Sequence, residues 1–105
     1  MQEAVRIEHS DGRLIAYLSG EVDHHSARRI REVIDSELFI NKPHRLIIDF
    51  SSVPFMDSSG IGLDIGRANV CRTIHADVGV SGLSNYLIKL VKLSGIEKID
   101  NIFIL

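Results

Sequence analysis

The stretch "RLIIDFSSVPFMDSSGIG" (residues 45–62) decides how this chain is read. An apolar run, a short "SSVP" connection, then an acid, two hydroxyls and two glycines lie in immediate succession. The run "RLIIDF" (45–50) has almost no polar alternation, which predicts a strand covered on both faces. Beyond Asp57 the pattern predicts a helix from Ser58 to about Ile74. The unit is therefore strand, short loop, helix, with the chemistry gathered at the loop.

Working outward, "VRIEH" (5–9) and "RLIAYLSG" (13–20) flank "SDG", a turn signal, and predict an opening hairpin. Asp23 precedes a run in which Ala27, Ile30, Ile34 and Leu38 recur at helical spacing, and its carboxylate suits the N-cap of that helix. "NKPH" (41–44) breaks it. Downstream, "ADVGVSGL" (76–83) reads as a strand weakened by Gly79. Ser84 is placed to cap a third helix that closes at Gly95. "IDNIFIL" (99–105) makes a last strand. The order β-β-α-β-α-β-α-β predicts an α/β fold with a mixed sheet, as one domain over residues 1–105.

Bulk properties narrow the function. A net charge of −2 gives no electrostatic reason to expect nucleic acid or an anionic membrane as partner. The short "RRIR" (28–31) reads as a solvated helix face. No apolar run approaches the roughly 20 residues of a membrane span, and no signal-peptide pattern opens the chain. The single Cys71 offers no internal disulfide. The cytoplasm is the expected location.

The second helix is unusual, because an interior glycine costs roughly 1 kcal/mol relative to alanine and Gly60, Gly62 and Gly66 fall in or near it. At about 100° per residue, Gly62, Gly66, Asn69 and Thr73 share one stripe, flanked by apolar positions. Such a stripe serves either close packing within the fold or close approach by a partner.

Several chemistries fail on pattern. The P-loop sequence G-x-x-x-x-G-K-[ST] is missing, and the three glycines give G-x-G-x-x-x-G, one residue longer than a dinucleotide fingerprint. No G-x-S-x-G elbow exists, and His9, His24, His25, His44 and His75 sit in no recognisable catalytic motif. His24 and His25 point apart on a helix, so they are poor joint metal ligands. No metal or cofactor is expected. Two readings of "DSSG" remain: a plain helix cap, or a phosphoacceptor serine at a helix N-terminus, where the dipole and free amides stabilise an added anion.

"SGEVDHHSA" (19–27), "IIDFSSVPFMDSSGIGLDIGR" (47–67) and "LSGI" (93–96) together resemble the anti-sigma factor antagonists of the STAS domain family, most closely the kinase-regulated sporulation type. The resemblance covers nearly the whole chain and implies partner switching rather than enzymatic turnover. It implies that the unphosphorylated form binds an anti-sigma factor with serine kinase activity, freeing a sigma factor. The kinase then phosphorylates Ser58, and a phosphoserine phosphatase restores the binding form. Asp23 matches a family position that contacts the kinase. Asp57, Ser58, Ser59 and Gly60 match the motif around the phosphoacceptor, and Gly62 and Gly66 match small positions facing the partner. The pattern departs at Asp64, a charge where an aliphatic residue is expected. A monomer or weak self-association is expected. The alternative is a STAS scaffold, or a nucleotide- or lipid-linked sensor, in which Ser58 is only a cap.

Overall fold

The computed structural model describes residues 4–105, so the first three residues of the expected domain lie outside the described residues. The strands are β1 (Val5–Ser10), β2 (Arg13–Ser19), β3 (Arg45–Ser52), β4 (Asp77–Ser81) and β5 (Ile102–Ile104). The helices are α1 (His24–Asn41), α2 (Ser58–Thr73) and α3 (Asn85–Ser94). The five strands form one sheet in the order β1-β2-β3-β4-β5. β1 runs antiparallel to β2 and every later pairing is parallel. The mixed α/β sheet and element order predicted from the sequence are therefore present.

Local chemistry accounts for the elements. Asp11 and Gly12 both have positive φ, 52° and 77°, as a tight two-residue hairpin turn requires. α1 buries Ile30, Ile34 and Leu38, spaced one turn apart, and ends where Lys42 turns left-handed and returns its N–H to Leu38 O at 2.9 Å. Ser84 caps α3 through the Leu87 amide, and Gly95 closes it in the left-handed conformation. β5 is shorter than predicted because residues 99–101 form a turn, closed by the Ile102 amide donating to Ile99 O at 3.1 Å, after the 3-10 turn of Ile96–Lys98. The Asn101 side chain then ties this segment to Ala68 O at 2.9 Å and Ala76 O at 3.4 Å.

One expectation is corrected. β3 is covered on one face, not both. Leu46, Ile48 and Phe50 are buried, while Ile47 and Asp49 between them are only half-buried. Right-handed crossovers between parallel strands added in sequence order place successive helices on the same side of a sheet. The outer face is closed only locally, by side chains of the sheet itself. A Cβ on Gly79 would lie 2.7 Å from Leu105 Cδ1 and 3.6 Å from Ile47 Cγ1, so the glycine that weakens β4 on paper lets Leu105 lie against the strand. Around this patch the outer face turns ionic, with Arg45 Nε 2.6 Å from Asp77 Oδ1.

Candidate functional site

The loops after β2 and β3 meet at the rim of the sheet where these parallel strands end. Val22 and Met56, both buried, form a parallel bridge. The Val22 amide donates to Phe55 O at 3.1 Å, and the Asp57 amide donates to Val22 O at 3.2 Å. The residues directly after the bridge are Asp23 and Asp57, and each caps the helix it opens. Asp23 Oδ1 accepts from the amides of His25 and Ser26, both at 2.9 Å, while Ser26 Oγ accepts from the Asp23 amide at 3.0 Å. The bond from the Ser26 amide, against a smaller opposing effect of burial, holds the Asp23 carboxyl below its ordinary value. Asp57 Oδ1 accepts from the Ser59 amide at 2.8 Å. Ser58 is the exposed first residue of α2, and Ser59 is half-buried.

The glycines separate into two kinds. Gly60 is buried, and a Cβ there would lie 2.5 Å from Met56 Sδ. It faces the core under the loop bridge, so its place in the fold is packing. Gly62 and Gly66 face outward, and a Cβ on either would meet nothing within 4 Å. Their main chain is open to an approaching molecule.

Sequence reasoning passed over three features. Phe55 and Tyr86, at 45% and 54% exposure, stack with ring centroids 6.2 Å apart beside this rim. An aromatic residue next to a helix cap in a surface loop is a signal that could have singled out Phe55. Between α1 and α2 runs a cleft of about 530 Å³ lined by His24, Arg28, Arg31, Ser59 and Arg67, with Gly62 and Gly66 between them. The arginines of "RRIR" at 28 and 31 are exposed, as expected, yet they also form a wall of this cleft. Arg67, by contrast, is buried.

Asp64 is fully buried, and neither carboxylate oxygen has a hydrogen-bond partner. Burial pushes its carboxyl well above the ordinary value, and the Arg67 charge only partly opposes this. The departure at residue 64 is thus taken into the interior rather than displayed at the surface. Arg67 Nε lies 2.8 Å from Asp35 Oδ1, an ion pair by distance. The N–H does not point along that line, and neither atom gains a hydrogen bond. Cys71 is buried and its thiol is pushed up to about 11, so it stays protonated and shielded. Among the described residues no helix is long and apolar enough to cross a membrane.

Fold and rim together define a small α/β module that gathers two acid-capped helix N-termini at one end of its sheet. The STAS domain family model matches residues 4–104, and the chain belongs to that family. It is 30% identical over 103 residues to an anti-sigma F factor antagonist of Paenibacillus polymyxa, spanning 98% of this chain and 88% of that one. The anti-sigma factor antagonist SpoIIAA in its unphosphorylated form is similar with a TM-score of 0.74 and 25% identity, over 97% of this chain and 87% of that one. The Bacillus cell fate determinant SpoIIAA in its phosphorylated form is similar with a TM-score of 0.73 and 27% identity, over 97% and 91%.

Proposed function

We propose that this chain is an anti-sigma factor antagonist controlled by phosphorylation of Ser58. In this reading the unphosphorylated form binds an anti-sigma factor with serine kinase activity and frees a sigma factor for a sporulation or stress programme. Phosphorylation of Ser58 by that partner ends binding, and a phosphoserine phosphatase restores it. The protein acts in the cytoplasm as a monomer or weak self-associate, without direct contact to nucleic acid or membrane. Asp23, Asp57, Ser58, Ser59, Gly62 and Gly66 form the docking surface, and Gly60 supports it from beneath by packing on Met56.

The observation that carries this reading is the Val22–Met56 bridge, which brings the loop of Asp23 beside the loop of Asp57 and Ser58. A phosphate on Ser58 adds about −1.5 to −2 charge at neutral pH to a spot already holding a carboxylate. A partner seated there must then desolvate that anion next to Asp57, which opposes binding. The STAS relatives support the assignment by their own described roles.

The test is binding of the cognate anti-sigma factor to wild type, Ser58→Ala and Ser58→Asp, with mass analysis after incubation with ATP. Tight binding by wild type and Ser58→Ala, loss in Ser58→Asp, and a phosphate-sized mass gain on Ser58 are expected. Equal binding by all three with no mass gain would reject the switch in favour of a scaffold or sensor module.

A further inference from the structure

The docking surface is acidic at Asp23 and Asp57, but the cleft into which it continues between α1 and α2 is lined by arginines. The cleft runs along α2 from Ser59 to Arg67 and along α1 from His24 to Arg31. From Ser59 to Arg67 the helix axis advances roughly 12 Å. The cleft floor includes Gly62 and Gly66, where no side chain stands between the main chain and an entering molecule. Arg28, Arg31 and Arg67 supply the cationic lining.

Arg67 is the informative member. It is only 5% exposed, and its Nη1 is buried without a hydrogen-bond partner. Asp35 reaches its Nε only in a misdirected pair. A buried guanidinium with unmet donors is costly, and a carboxylate brought close to it lowers that cost. The other two arginines are only partly neutralised. Arg28 faces Glu32 at 3.5 Å in an exposed pair, and Arg31 has no carboxylate within ion-pair distance among the described residues, only the longer-range charge of Asp35.

We propose that the α1–α2 cleft binds an acidic peptide segment, carried by the same partner that docks on Ser58; this rests on the function proposed for that surface. A segment fits better than a lone phosphate ion because the cationic groups are spread along the cleft and its volume of about 530 Å³ far exceeds one ion. The cleft begins at His24 and Ser59, the immediate neighbours of Asp23 and Ser58, so it continues the docking surface. The charge order then specifies the partner's chemistry. A basic group faces the two aspartate caps, and acidic side chains follow between the helices.

Hexaglutamate titrated into the full chain at fixed ionic strength, followed by amide shifts in heteronuclear NMR, tests this without the anti-sigma factor. Hexalysine and inorganic phosphate serve as controls. Saturable shifts at Ser59, Gly62 and Gly66 are expected, weakened about fivefold or more in Arg28→Gln and Arg31→Gln, whose exposed side chains leave the core intact. Arg67→Gln should abolish them; should that variant unfold, the two exposed variants carry the result. Absence of saturable shifts, indifference to the arginine variants, or equal affinity for inorganic phosphate would overturn the proposal. Peptide binding without any binding of the anti-sigma factor would instead reject the docking function and leave the cleft assignment standing.

Discussion

Asp64 gives the sharpest quantitative consequence of this structure. Its carboxyl is fully buried with both oxygens unpartnered, and burial raises it well above the ordinary value. A carboxyl raised in the folded state contributes stability that is complete below its unfolded value, near pH 4, and is lost as pH rises through the folded value. Across that window each pH unit costs about 1.4 kcal/mol, because the folded state must hold a proton that the unfolded chain releases. Asp64→Asn keeps the shape and removes the titration. Asp64→Val also removes the unpaired oxygens, whose burial costs about 1–3 kcal/mol. Urea unfolding followed by circular dichroism between pH 5 and 8 reads the difference, and groups common to both proteins cancel. Wild type should lose stability relative to Asp64→Asn as pH rises, and Asp64→Val should exceed wild type by at least about 1–3 kcal/mol at pH 5, a margin that widens by about 1.4 kcal/mol per pH unit until the folded carboxyl ionises. Parallel curves for wild type and Asp64→Asn would refute the reasoning. So would a loss in Asp64→Asn that grows with pH, which would mean that Asp64 is ionised and held by Arg67.

Three further substitutions read the site's architecture through stability. Asp57→Ala removes the α2 cap to the Ser59 amide and should cost about 1 kcal/mol in urea titration, with the denaturant slope unchanged. Gly60→Ala and Gly62→Ala should move in opposite directions. The first forces a Cβ to within 2.5 Å of Met56 Sδ and should lose about 1–2 kcal/mol net of helix propensity, whereas the second, in open space, should gain about 0.5–1 kcal/mol. Equal responses at the two glycines would show that Gly60 does not pack as described.

The elements were legible because short-range chemistry dictates them. Asp23 and Ser84 announce helix starts, Gly95 a helix end, and Ile30, Ile34 and Leu38 a buried helix face, each within one or two turns of sequence. Gly60 and Gly62 were separable too, since about 200° of helix rotation lies between them. What sequence could not supply depends on pairings far along the chain. "LIIDF" looks two-sided until Leu105 is seen to fold against Gly79 beside Ile47, leaving the rest of that face to solvent. Arg67 reads as an ordinary helical arginine until α1 packs across it and buries it. Asp64 reads as a charge at a position expected to be aliphatic, and only the packed helix shows how completely that position is buried. The Phe55–Tyr86 stack joins residues brought together only by the order of the strands.

If Ser58 is the switch, its action should be local rather than a change of fold. An anion on the first residue of α2 is favoured by the helix dipole, by about 0.3–1 kcal/mol at an exposed site. Repulsion from Asp57 and Asp23 across solvent is of similar size, up to about 1 kcal/mol. The two effects nearly cancel in the free protein, so Ser58→Asp should unfold within about 1 kcal/mol of wild type. They do not cancel in a complex, where the partner displaces the water that screens the charges and an unmatched buried anion opposes association far more strongly. Thermal unfolding of Ser58→Asp beside its binding measurement separates the two cases. Lost binding with an unchanged unfolding temperature is expected, whereas a loss of more than about 2 kcal/mol in stability would assign the lost binding to damage in the loop bridge.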